Sequence, residues 1–136
     1  MAAEEFIRTS AERGKRPSRP PIPTIIIADD DTAIVALAAI LLRDHGYRVL
    51  EAHSAQEALH LAELNSTPVD LLLTDGEMPE MDGFALWRSL RGRHAGVRVV
   101  FMSGGAIPES GAAFLPKPFT IGELMNTVEG TLRVTC

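Results

Sequence analysis

Asp70-Leu71-Leu72-Leu73-Thr74-Asp75-Gly76-Glu77-Met78-Pro79-Glu80-Met81-Asp82-Gly83 is the stretch that decides the fold. Apolar residues at consecutive positions suit a strand covered on both faces, as the strands of parallel sheets are. The run ends on a carboxylate, Asp75, and Pro79 and Gly83 mark the residues after it as a loop. Three other short runs behave alike. Ile25-Ile26-Ile27-Ala28 leads into Asp29-Asp30-Asp31, Val97 to Met102 stops at Ser103, and Ala112 to Pro116 stops at Lys117. As parallel strands of one sheet, their carboxyl ends lie side by side. Three carboxylates, a hydroxyl and an ammonium then share the crevice where open α/β sheets bind ligands.

Helix signals alternate with these strands, which favours a parallel sheet with helices on both faces. A first strand is expected at about 24–29 and a helix at 31–44, stopped by Gly46 in a left-handed cap. The next strand is expected at 47–52. The capping box Ser54-Ala55-Gln56-Glu57 opens a helix running to about Asn65. The third helix, about 84–93, offers Phe84, Leu86, Trp87 and Leu90 for packing. Strands are expected at 97–102 and 112–115. A second capping box, Thr120-Ile121-Gly122-Glu123, opens the last helix and sets Ile121, Leu124, Met125 and Val128 on one face. Between the last two strands, residues 104–111 contain three glycines and a proline, poor material for a helix. Eight extended residues reach roughly 26 Å, so a bare loop is expected there.

The 136 residues, 46% hydrophobic and 23% charged, suit one globular domain over 24–136. No apolar stretch approaches the roughly 18 residues of a membrane span, and no signal-peptide core is evident. A single cysteine, Cys136, excludes an internal disulfide, and a cytoplasmic location is expected. The net charge of −5 argues against direct nucleic-acid binding. Residues 1–23 read as a disordered basic, proline-rich arm, because 13–23 hold four basic residues and four prolines.

On the residues Asp29-Asp30, Asp75 to Gly83, Ser103 and Lys117-Pro118-Phe119, each after an apolar run, the chain resembles the receiver domain of two-component response regulators over about 24–133. The resemblance implies a flavodoxin-like, doubly wound, five-stranded parallel sheet in the order 2-1-3-4-5. It implies that Asp75 accepts a phosphoryl group from a histidine kinase or phosphotransfer protein, and that a downstream protein partner reads the result. A carboxylate can hold a phosphoryl group as an acyl phosphate. Crowded carboxylates repel by about 4 kcal/mol per pair at about 4 Å and an effective dielectric of about 20. A divalent cation removes that conflict, and oxygen ligands suit Mg²⁺. By resemblance, Asp30, Asp75 and the backbone carbonyl of Glu77 coordinate Mg²⁺ directly, and Asp29 acts through water. The resemblance likewise implies that Lys117 neutralises phosphoryl oxygens, that Ser103 donates a hydrogen bond to one, that Phe114 is the switch aromatic, and that the Lys117-Pro118 bond is cis. The resemblance further implies that the domain catalyses only its own phosphorylation and dephosphorylation and is not a turnover enzyme.

Several positions depart from the family pattern. Gly76 stands where a bulky aliphatic is common, and the Glu77 side chain overhangs the phosphoryl position, which is expected to alter phosphoryl lifetime. The family's helix 4 is expected to be reduced or missing, as the Phe101-Met102-Ser103-Gly104-Gly105 run suggests. The uncovered face of the last two strands is then expected to take a second copy, forming a homodimer, or a partner helix. Ile34, Leu37, Ala38 and Leu41 suffice for the core face of the first helix, yet Val35, Ala36, Ala39 and Ile40 are apolar too, and this surplus suits docking of a kinase. Asp31 is expected to cap that helix, Asp82 to serve a turn, and His45, His53, His60 and His94 to lie on surfaces. A stand-alone receiver is the expectation. The alternatives are a pseudo-receiver that binds partners without phosphorylation, and a Mg²⁺-dependent aspartyl phosphatase, which would require a cap domain.

Overall fold

The computed structural model describes residues 22–103 and 113–133. Five strands, β1 (Thr24–Ala28), β2 (Arg48–Ala52), β3 (Leu71–Asp75), β4 (Arg98–Ser103) and β5 (Ala113–Pro116), form one parallel sheet in the order β2-β1-β3-β4-β5. Among the described residues four helices, α1 (Thr32–Asp44), α2 (Ala55–Leu64), α3 (Gly83–Arg91) and α4 (Ile121–Arg133), cover it. None of them is long and apolar enough to cross a membrane. Order, parallel pairing and alternation agree with the reading of the sequence, and element bounds fall within two residues of it.

Strand side chains alternate between faces, so the unbroken apolar runs supply two cores at once. Ile25, Ile27, Leu71, Leu73, Val100 and Met102 pack with Val35, Leu42, Leu124 and Val128 of α1 and α4. Ile26, Ala28, Leu72 and Phe101 pack on the other face with Ala58, Leu86 and Leu90 of α2 and α3. The pairings Ala28↔Thr74, Asp75↔Met102 and Ser103↔Pro116 bring the carboxyl ends of β1, β3, β4 and β5 to one edge.

Local signals place the helices. Asp31 caps α1, accepting from the amides of Ala33 and Ile34. At its other end Tyr47 N–H bonds to the Leu42 carbonyl and Gly46 N–H to that of Arg43, a Schellman pattern that needs the positive φ of Gly46, 101°. In the second capping box, Thr120 and Glu123 bond reciprocally. In the first, Ser54 accepts from Glu57 N–H, but the Glu57 carboxylate reaches back to His53 N–H, one residue beyond the usual partner.

Three expectations are corrected. The core stripe of α1 is Val35, Ala38, Ala39 and Leu42, with Ile34 and Leu41 partly covered, while Leu37 is 53% and Ile40 63% exposed. A helix apolar nearly all round carries no phase in its pattern, and the small Ala38 and Ala39 let it lie close to the sheet. Ile121, in the first turn of α4, is exposed, and burial begins one turn later at Leu124. His94 is buried: its Nδ1 accepts from Val69 N–H and its Nε2 donates to the Ala62 carbonyl, tying the end of α2 to the approach of β3. The connection 104–112, where a reduced or missing helix 4 is expected, lies outside the described residues. So does the arm, except that Pro23 already accepts a bond from Arg48 N–H.

Candidate functional site

At the carboxyl edge of the sheet Asp29 follows β1, Asp75 ends β3, Ser103 ends β4 and Lys117 follows β5. Oxygens of Asp29, Asp30 and Asp75 lie within 4.8 Å of one another. Asp29 is wholly buried: its Oδ1 accepts from Asp31 N–H at 2.9 Å and its Oδ2 from Lys117 Nζ at 2.8 Å. The same Nζ stands 3.6 Å from Asp75 Oδ2, and Asp75 Oδ1 accepts from Glu77 N–H at 3.2 Å. Asp30 is exposed, so the cluster opens to solvent on its side.

The backbone holds these groups as one frame. Gly76 N–H bonds to the Met102 carbonyl and Lys117 N–H to the Ser103 carbonyl, linking each loop to the neighbouring strand end. The Lys117-Pro118 bond is cis, as the resemblance implies. Ser103 is buried, and a β-carbon placed on Gly76 would stand 3.9 Å from its Oγ, in ordinary contact. Glu77 is exposed. Phe114 pairs with Phe101 across the sheet and is partly buried against the core on the face covered by α2 and α3.

Electrostatics follow from the crowding. Burial raises the Asp75 carboxyl above its ordinary pKa; Asp29 and Asp30 add to the rise, while the Glu77 amide and Lys117 oppose it. Burial pulls the Lys117 ammonium the other way, but the bonds and charges of Asp29 and Asp75 outweigh that and raise it, so it is charged at neutral pH. One ammonium thus faces three acids, a local excess of negative charge. The donors are all hard oxygens, with neither His nor Cys in the cluster. That donor set fits Mg²⁺.

Two contributors give no such signal in the sequence. A β-carbon on Gly83 would stand 2.5 Å from the Asp75 carbonyl oxygen and 3.0 Å from Thr74 Cγ2, so only glycine lets α3 start against the end of β3. Gly83 N–H also bonds to the Gly76 carbonyl, and the Thr74 hydroxyl donates to the Asp75 carbonyl. Asp82, expected in a turn, caps α3 through Ala85 N–H. The Asp82-Gly83 pair is visible as a turn signal, but the contact it serves depends on tertiary packing.

The family model for the response regulator receiver domain matches residues 25–129. The chain is 37% identical over 117 residues to the sensor kinase CckA of Brucella abortus (strain 2308), covering 80% of this chain and 12% of that protein. It is 33% identical over 116 residues to the transcriptional regulatory protein CpxR of Escherichia coli (strain K12), covering 80% of this chain and 49% of that one. The chain thus spans half or less of the length of these curated relatives. Among solved structures, the receiver domain of the hybrid histidine kinase CckA superposes with a TM-score of 0.72 at 42% identity, over 81% of this chain and 99% of that one. A CheY-like receiver domain from Methanospirillum hungatei JF-1 gives 0.73 at 29% identity, over 82% and 94%.

Proposed function

Because the chain belongs to the response regulator receiver family of two-component systems, we propose that Asp75 is its phosphoacceptor and that a histidine kinase or phosphotransfer protein is the donor. The single observation that supports this most is the convergence of Asp29, Asp30 and Asp75 within 4.8 Å with the Lys117 ammonium on two of them. An Asp75 oxygen attacks the phosphorus of a phosphohistidine. The new O–P bond forms as the P–N bond breaks, and the electron pair returns to the imidazole of the donor. Asp75, Asp30 and the Glu77 carbonyl would hold Mg²⁺, which supplies positive charge against the phosphoryl oxygens. Lys117 sits within reach of the same space and swings from carboxylate to phosphoryl oxygen as charge arrives. Ser103 serves as the hydrogen-bond donor from β4, and Phe114 as the aromatic that follows it. Asp29, with both oxygens engaged, orients Lys117 and would act on the cation only through water. Positioning and charge neutralisation carry most of the catalysis in such transfers.

The exposed Leu37 and Ile40 of α1 support docking of the donor's helices beside the carboxylates. Incubation with a panel of radiolabelled, autophosphorylated histidine kinases tests the proposal. Label is expected on this chain within minutes for a cognate donor and never on Asp75→Asn. Undiminished transfer to Asp75→Asn would refute the assignment. A pseudo-receiver would take label from no donor.

A further inference from the structure

The segment 83–98 contains Arg88, Arg91, Arg93 and Arg98 and no acidic residue, whereas the rest of 23–136 carries four basic and fifteen acidic side chains. One helix and its exit thus form a basic island on an acidic body. Arg93 lies 3.8 Å from Glu63, but Arg88 and Arg91, both exposed, form no ion pair among the described residues. Instead each lies over a ring one turn earlier: Arg88 is 4.7 Å from the Phe84 centroid and Arg91 4.5 Å from that of Trp87. Those rings are fixed in turn. The Trp87 indole donates to the Val97 carbonyl, and both rings pack against Phe101.

Stacking holds a guanidinium flat while leaving its N–H edge free, and this lowers the entropy lost when the edge meets a carboxylate. Two such forks three residues apart lie on adjacent turns of one helix face. Arginine and aromatic side chains together are also the residues most enriched where protein partners bind tightly. We propose that the outer face of α3 is a docking surface for an acidic protein segment, whose carboxylates are taken by Arg88 and Arg91. An acidic peptide fits better than a nucleic acid, because an extended polyanion would run from this island onto a body dominated by carboxylates. The surface goes beyond the phosphoacceptor proposal and does not depend on it.

The test is fluorescence anisotropy of a labelled twelve-residue peptide bearing Glu pairs three and four apart, titrated with the full chain. Saturable binding is expected, weakened at least about tenfold by Arg88→Ala/Arg91→Ala and at least about threefold by Arg88→Lys/Arg91→Lys, since lysine keeps the charge but not the fork. Arg48→Ala/Arg133→Ala removes the same charge elsewhere and is expected to leave binding within about twofold. Circular dichroism melts establish that each variant is folded. Absence of saturation at millimolar chain, or equal losses in both alanine pairs, would overturn the proposal. So would tighter binding of a twelve-nucleotide single strand than of the peptide. A dimer in sedimentation that Arg88→Ala/Arg91→Ala dissociates would assign the surface to a second copy and likewise overturn it.

Discussion

Replacing Lys117 with alanine removes the only cation in contact with Asp29 among the described residues, a carboxylate with no exposed surface whose Oδ2 accepts from Nζ at 2.8 Å. Asp30 and Asp75 remain nearby, so the change strands a buried charge among like charges. Breaking a buried pair from one side costs about 3–5 kcal/mol. The Lys117 side chain is 22% exposed and keeps some hydration, which places the expected loss near the lower limit, about 3 kcal/mol. For a domain of this size that is a fall in Tm of about 9–15 °C. Asp29→Asn in the Lys117→Ala background should restore at least about half of the loss, because the stranded charge is gone. The pH dependence has a fixed sign. The Lys117 pKa is raised on folding, so its contribution is full below the unfolded value of about 10.4 and disappears as pH rises through the higher folded value. The gap between wild type and Lys117→Ala should therefore stay level from about pH 7 to 9 and close in strong alkali. Urea denaturation of the four chains of this cycle measures it. A Lys117→Ala loss below about 0.5 kcal/mol, or no rescue by Asp29→Asn, would refute the reasoning.

The Asp75 carboxyl is raised as well, so it tilts stability with pH in the same direction, but at neutral pH its charged form costs stability. Its pKa is raised mainly by burial, with Asp29 and Asp30 adding to it, so stability falls as pH climbs from the unfolded value through the folded one. Asp75→Asn is expected to gain on the order of 1 kcal/mol at neutral pH, and Mg²⁺ at about ten times its Kd should stabilise the wild type by about 1.4 kcal/mol while stabilising that variant less. Thermal melts in Mg²⁺ and in chelator read both, and an unchanged or lower Tm for Asp75→Asn contradicts the crowding. Gly83→Ala forces a β-carbon to 2.5 Å from the Asp75 carbonyl; a loss of about 1–3 kcal/mol is expected, together with slower acceptance of phosphoryl by the folded variant, whereas normal stability and rate would remove Gly83 from the positioning frame. Glu77→Asn should change the half-life of the phosphorylated chain, since the exposed Glu77 adds charge beside the acceptor; equal half-lives would dismiss that effect.

The sheet is legible in the sequence because four apolar runs each end on a polar residue, and burial on both faces demands such unbroken runs. Capping residues are legible for a similarly local reason: Asp31, Ser54 and Thr120 satisfy amides within three residues of themselves. The convergence of Asp29, Asp30, Asp75 and Lys117 comes from strand order together with register. The features that sequence leaves open depend on three-dimensional neighbours. The phase of α1 is open because Ile34 to Leu42 are all apolar, and only the sheet beneath selects Val35, Ala38, Ala39 and Leu42. His94 reads as a surface residue because nothing local reveals that Ala62 and Val69, each more than twenty positions away, close around it. Gly83 hides behind its own turn signal, since its need for glycine arises from a carbonyl eight residues earlier.

The most direct measurement of the central claim is the intact mass of the chain after exposure to acetyl phosphate. With Mg²⁺ present the account predicts a gain of about 80 Da that is lost in both acid and alkali, as an acyl phosphate is, and is located on Asp75 after borohydride reduction and peptide mapping. It also predicts no gain in chelator or in Asp75→Asn. A gain that survives loss of Asp75, or none at all on a folded chain at millimolar Mg²⁺, would contradict it.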